Sequence, residues 1–183
     1  MSYADKAKKT ERYTDQNTGE TYSRTSFVDM MFNDKGFLFR KGMNSVKSWG
    51  DTIYPKDFTI TDRGRIDVLR DLIIKDNQFL VRRCGNFMRP ATVEYIAEKI
   101  QLSERRCKEF ISKLKEHGIL KEVCIGGITY FSLNPIYGMK DKRLNLTVFI
   151  IFQDELNMYL KPWVIKRFLD EMEGIAPNIK IVR

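Results

Sequence analysis

Arg105, Arg106 and Lys108 stand close together in a chain with one histidine and three scattered cysteines. Ser103, Glu104, Glu109 and Ser112 surround them. Such a set suits contact with a polyanion better than catalysis. A guanidinium pairs bidentately with guanine O6 and N7, for about 1–3 kcal/mol of discrimination. Glu104 or Glu109 can accept from cytosine N4, or form i, i+4 ion pairs on a solvated face. Lys113, Lys115 and Lys121 are candidates for phosphate contact, and so is Thr92 upstream. Metal chemistry has no support, because neither C-x-x-C nor H-x-x-x-H spacing occurs. No glycine-rich phosphate loop is present, so no nucleotide cofactor is expected. A serine triad would need His117, which reads instead as a partner for the C-terminal dipole of a helix. No catalytic constellation survives, and the chain reads as a non-enzyme.

The elements that must position these side chains run from Thr92 to Leu133. Val93, Ile96, Ala97 and Ile100 fall at i, i+3, i+4 and i+7, so Thr92–Ile100 reads as a helix capped by Thr92. Gln101–Leu102 is a tight turn. Ser103 caps a second helix, Ser103–His117, whose stripe is Cys107, Phe110, Ile111 and Leu114. Arg105, Lys108, Ser112 and Lys115 take the opposite side, flanked by Arg106, Glu109 and Lys113. Gly118 ends the helix. Ile119–Ile125 and Ile128–Leu133 read as strands joined by the hairpin signal Gly126–Gly127. The order predicts a winged helix-turn-helix, whose second helix enters the major groove of DNA. The wing tip carries no cation for the minor groove.

The fold class expected is α+β, in four parts. Residues 1–26 are polar and read as a disordered basic arm, with a turn at Asn17–Glu20. Residues 27–60 hold a β-hairpin, Phe27–Phe32 and Phe37–Arg40, apolar enough to pack on the core or on another subunit, and then a loop. Residues 61–153 form the winged domain. Its first helix spans Arg63–Lys75, capped by Thr61 or Asp62. Phe79, Leu80 and Val81 read as buried or extended, and Arg82 and Arg83 as exposed. Phe87 and Met88 suit a third strand beside the wing. Leu144–Phe152 reads as a buried strand. Residues 154–183 carry a helix over Trp163–Glu173 with Pro162 at its first position. Its stripe of Ile165, Phe168, Leu169 and Met172 suits either a homodimer contact or a cover for the domain's own open face.

The totals fit this reading. The 183 residues carry a net charge of +8, with 43% hydrophobic and 12% aromatic residues. The pI is about 9.4. A basic balance favours an acidic partner such as nucleic acid. The longest apolar run, Val148–Phe152, is too short for a bilayer, and no membrane contact is expected. The polar N-terminus shows no signal peptide. Three unpaired-looking cysteines (Cys84, Cys107, Cys124) suit reduced thiols in a cytoplasm.

From roughly Arg63 to Phe152 the chain resembles the RepL-type replication proteins of Firmicute plasmids. The residues that carry this are Thr92–Ile100, Ser103 leading into Phe110–Leu114, Gly118–Lys121, the Leu133–Asn134–Pro135 exit and Leu144–Phe152. The Thr-Gly-Glu within Tyr13–Glu20 looks like that family's polar N-terminus. The first part of the match is shared with MarR-like winged-helix regulators. The resemblance implies binding of origin DNA and recruitment of host replication proteins, without nicking.

The expectation is therefore a sequence-specific double-stranded DNA-binding protein of a plasmid or phage. Ser103, Arg105, Arg106, Lys108, Glu109 and Ser112 would line the groove, with Thr92, Lys113 and Lys121 at phosphates. A transcriptional regulator would use the same module. In a third reading the winged domain binds and inhibits a host protein through the apolar hairpin Met30–Phe39.

Overall fold

The computed structural model describes residues 6–14, 21–29, 32–33, 36–38, 54–75, 77–141, 143–173 and 179–182. Where the sequence reads as an unstructured arm, β1 (Lys6–Thr14) and β2 (Thr21–Asp29) form an antiparallel ribbon. Thr10 faces Thr25, Tyr13 faces Tyr22 and Thr14 faces Thr21. Cross-strand pairs of β-branched and aromatic residues support such a ladder, which a low apolar count overlooks. The turn expected at Asn17–Glu20 lies outside the described residues. The apolar hairpin stands at its centre: β3 (Phe32–Asn33) pairs with β4 (Gly36–Leu38), Phe32 opposite Phe37. Phe27–Asp29 belongs to β2 instead, and residues 30, 31, 39 and 40 are outside the described set.

Helix α1 spans Ile60–Asp71. Its cap is Thr59 rather than Thr61 or Asp62, and it ends at Asp71 rather than Lys75. The Thr59 hydroxyl accepts from the Asp62 N–H at 3.1 Å, and the Asp62 carboxylate accepts from the Thr59 N–H at 3.1 Å. This reciprocal box satisfies two of the helix's open donors. Ile66 and Leu69 face the core. The chain then turns through Ile73 to Phe79–Leu80, and β5 (Val81–Cys84) folds back on β6 (Phe87–Pro90). Helices α2 (Val93–Lys99) and α3 (Glu104–Glu116) follow, then β7 (Leu120–Ile125) and β8 (Ile128–Leu133). Gly126 and Gly127 have φ of 58° and 79°, the paired positive values of a type I′ turn. The segment that joins the free edge of β8 is Phe79–Leu80. Phe79 bridges Ser132, and the Leu80 N–H donates to Phe131 O at 2.8 Å. Phe87 and Met88, expected in that place, belong to the β5–β6 hairpin and are exposed.

After β9 (Arg143–Leu144), which pairs with β4, the expected strand Leu144–Phe152 is a helix, α4 (Leu146–Leu156). Asn145 caps it, its side-chain oxygen accepting from the Val148 N–H at 2.9 Å. Val148, Phe149, Ile151, Phe152 and Leu156 are all buried. Leu146 and Ile150, on the less buried side, are apolar too, so the sequence shows no clear 3.6-residue alternation, and its β-branched and aromatic composition imitates a strand. Packing overrides that local preference. Helix α5 (Pro162–Glu173) starts at proline as expected. Phe168 stacks on Phe149 at 4.4 Å and lies 4.8 Å from Phe32, while Trp163 meets Phe37 edge-on at 5.9 Å. The helix thus covers the chain's own core, with Val164 and Phe168 innermost and Leu169 facing outward. The last strand, β10 (Ile179–Val182), pairs antiparallel with β7 and covers its outer edge. No helix among the described residues is long and apolar enough to cross a membrane.

Candidate nucleic-acid interface

Thr92 starts α2, its hydroxyl accepting from the Tyr95 N–H at 3.3 Å. Ile96, Ala97 and Ile100 are buried. The helix ends in a double cap: the Gln101 N–H donates to Glu98 O at 3.3 Å and the Leu102 N–H to Ala97 O at 3.0 Å. Gln101 takes φ of 55° to make it, a role glycine usually fills. Ser103 then caps α3 by accepting from the Arg106 N–H at 3.5 Å. Cys107, Phe110, Ile111 and Leu114 form the buried face of α3, as the spacing predicts. The Cys107 thiol donates to Val93 O at 3.6 Å and ties the two helices together. Burial, reinforced by the charges of Glu104 and Glu94, raises the thiol's pKa, so it stays protonated and is a poor nucleophile.

The α3–β7 junction is fixed on the opposite side. The Gly118 N–H donates to Lys115 O at 3.0 Å and the Ile119 N–H to Leu114 O at 2.9 Å, with Gly118 at φ of 62°. Asn134, buried at the end of β8, donates from Nδ2 to Gly118 O at 2.9 Å and accepts from the Ile136 N–H at 3.0 Å. The hairpin β7–β8 is thereby locked to the end of α3.

Of the predicted contact residues, Ser103, Arg105, Arg106, Lys108, Glu109 and Ser112 are all exposed on α3 or at its cap. Thr92 is exposed at the start of α2, its hydroxyl already engaged in the cap. The Arg105 side chain is 90% exposed and meets Glu109 at 3.2 Å. An exposed i, i+4 pair contributes about 0.3–0.5 kcal/mol, well below a bidentate base contact at about 1–3 kcal/mol. The pair therefore does not hold Arg105 back.

Two predicted phosphate ligands are placed elsewhere. Lys113 turns toward α1: its Nζ lies 2.7 Å from Asp57 O, 3.3 Å from the Asp57 and Asp62 carboxylates and 4.2 Å above the Phe58 ring. Lys121 is paired with Glu155 of α4 at 2.8 Å. Lys115 likewise meets Glu122 at 3.0 Å. Lys113 and Lys121 have each found a carboxylate from an element distant in sequence, whereas Glu122 lies on the strand that follows α3.

The β5–β6 hairpin adds a feature that the sequence reading passed over. Hydrogen bonds from its own backbone and from Thr92, with the charges of Lys108 and Arg82 nearby, hold the Glu94 carboxyl below the usual range. The hairpin is a neighbour of α2, with Val81, Arg83 and Met88 lining a groove together with Tyr95. The signal was available: Gly85–Asn86 between Val81–Cys84 and Phe87–Pro90 is a hairpin signature. No grouping of His, Cys, Asp and Glu able to hold a metal occurs among the described residues.

The described residues define a mixed α+β protein with five helices and small antiparallel sheets. Comparison with protein-family models, with curated proteins and with solved structures gives no match.

Proposed function

We propose that this is a sequence-specific double-stranded DNA-binding protein. In this reading α2, α3 and β7–β8 make a winged helix-turn-helix, and α3 is the helix that enters the major groove. Ser103, Arg105, Arg106, Lys108, Glu109 and Ser112 line the groove, and Thr92 lies beside a phosphate. Lys113 and Lys121 are no longer part of the contact. The observation that supports this best is the two-sidedness of α3. One face is wholly buried, while the other carries Arg105, Arg106 and Lys108 into solvent on a rigid, doubly capped support. The chain acts by binding, and no catalytic role is assigned to any residue.

The role proposed is initiation of plasmid or phage replication without nicking, with recruitment of host replication proteins. It is supported by the RepL resemblance, which loses Leu144–Phe152 as a strand but keeps the Asn134–Pro135 exit. Of the hairpin Met30–Phe39 that the inhibitor reading would use, Phe32 and Phe37 are buried in the chain's own core, and Met30 and Phe39 lie outside the described residues.

The test is binding to DNA from around the protein's own gene, against random competitor, over a salt series. A specific complex that weakens steeply with salt supports the reading. Equal, weak binding to both DNAs overturns it. Loss of plasmid replication on deleting the gene supports initiation; unchanged copy number with altered promoter activity assigns a regulator instead.

A further inference from the structure

We infer that the β5–β6 hairpin is a second DNA contact, with its arginines on the phosphate backbone beside the groove that α3 enters and Phe87 inserted as a wedge between base pairs. This rests on the DNA-binding reading above and assigns it an element that lies outside the helix pair and the wing.

Residues 81–90 contain three arginines and no acid. Arg82 lies directly opposite Arg89 in the ladder, and Cys84 opposite Phe87. Opposed residues and alternate residues share a face, so Arg82, Arg89 and Phe87 stand on one side of the hairpin. Like charges set opposite each other weaken a ladder. Among the described residues no ion pair engages the three arginines, although the charge of Arg82 is felt at the exposed Glu94 carboxylate. A polyanion would relieve the repulsion.

The hairpin borders both the helix pair and the β7–β8 hairpin. Val81, Arg83 and Met88 share a groove with Tyr95 of α2, the helix that the Cys107 thiol ties to α3. At its other edge, Arg89 and Met88 share a groove with Ile125 and Tyr130 of the β7–β8 hairpin. The tip of β7–β8 has only Gly126 and Gly127 to offer a phosphate, and the neighbouring β5–β6 hairpin supplies the missing cations.

The tip residues are apolar where solvent would favour polar ones. Phe87 is 75% exposed and Met88 50% exposed, beside the turn at Gly85–Asn86. Arginine next to an exposed Phe or Met is the chemistry of proteins that unstack a base step and bend the duplex. It gives the aromatic ring an apolar destination and the guanidinium groups an anionic one.

The test uses the full chain and a short duplex, narrowed by footprinting from the DNA around its own gene, with 2-aminopurine at successive positions. Phe87→Ala and Arg89→Gln change exposed side chains, and thermal melts confirm that both fold. Arg89→Gln is expected to reduce the slope of log K against log salt by about 1. Phe87→Ala is expected to keep that slope, lose about tenfold in affinity and abolish the rise in 2-aminopurine fluorescence. If Arg105→Ala weakens binding while both hairpin variants keep wild-type affinity, slope and fluorescence, the hairpin inference falls and the DNA-binding reading stands. If the wild type forms no specific complex, the parent reading falls and takes the inference with it. Flotation with phosphatidylserine vesicles that depends on Phe87, with DNA affinity unaffected by Phe87→Ala, also overturns the inference and makes the hairpin a membrane contact.

Discussion

The Lys121 ammonium lies 2.8 Å from the Glu155 carboxylate and joins the strand after α3 to the buried helix α4. The two side chains are 18% and 24% exposed. Lys121 also lies 5.4 Å from the centre of the Phe152 ring. A cation held in this way supports the position of α3 relative to the core.

Lys121→Ala is therefore expected to act on stability. It leaves a half-buried carboxylate without its partner, at a cost of about 1–2 kcal/mol, between the values for exposed and buried charged hydrogen bonds. The urea midpoint should fall while DNA affinity stays at the wild-type value. Wild-type stability with weakened binding to all sequences would return Lys121 to the phosphate contacts.

Arg105→Ala is expected to do the reverse. Its side chain has only the Glu109 pair to lose, so stability should stay within about 0.5 kcal/mol. Discrimination between specific and random DNA should fall by about 1–3 kcal/mol, read by competition binding. An unchanged footprint and affinity would exclude the docking of α3 proposed above.

Asp62 gives the fold a pH dependence of known sign. Burial by itself would raise its carboxyl. Hydrogen bonds from the Thr59 backbone and hydroxyl and from Lys113, with the Lys113 charge, outweigh burial and hold it below the ordinary range. A depressed folded pKa contributes stability that is present above the unfolded value of about 3.9 and is lost as pH falls through the folded value. Asp62→Asn should be less stable than wild type at pH 7, by about 1 kcal/mol for a weakened cap. The gap should close as pH drops below about 4, measured by denaturant titration at each pH. A gap that persists at low pH would show that Asp62 works by shape alone.

Asn134→Ala removes the partner of the Gly118 carbonyl and of the Ile136 N–H together. Both hydrogen bonds are buried, and an unsatisfied buried group costs about 1–3 kcal/mol. The expected result is a loss of about 2–4 kcal/mol in unfolding free energy, with faster amide exchange at Ile119 and Ile136. Asn134→Asp keeps the acceptor but sets a buried carboxylate oxygen against the Gly118 carbonyl, and should cost at least as much at pH 7.

The stretch from Thr92 to Leu133 was legible because its signals are local. Thr92 and Ser103 cap where caps were expected, the two apolar stripes are buried, and Gly118 and Gly126–Gly127 turn the chain. Helix α4 was misread because Leu146 and Ile150 carry apolar side chains onto its less buried side and blur the periodicity that marks a helix. Strand β10 was missed because its partner β7 lies far back in the sequence. The site divides along the same line. Arg105, Lys108 and Ser112 share a face by spacing alone, and they are exposed together. The ion pairs of Lys113 and Lys121 were not legible because their carboxylates lie 51 and 34 residues away, beyond any local pattern.

The three thiols lie at different depths: Cys107 is sealed between α2 and α3, whereas Cys84 and Cys124 are partly accessible on the two hairpins. Cys107 can meet an alkylating reagent only when the helix pair comes apart, so its modification is a clock for that opening. A ligand that grips α3 must slow the clock, while the thiols on the hairpins register whether the same ligand also covers them.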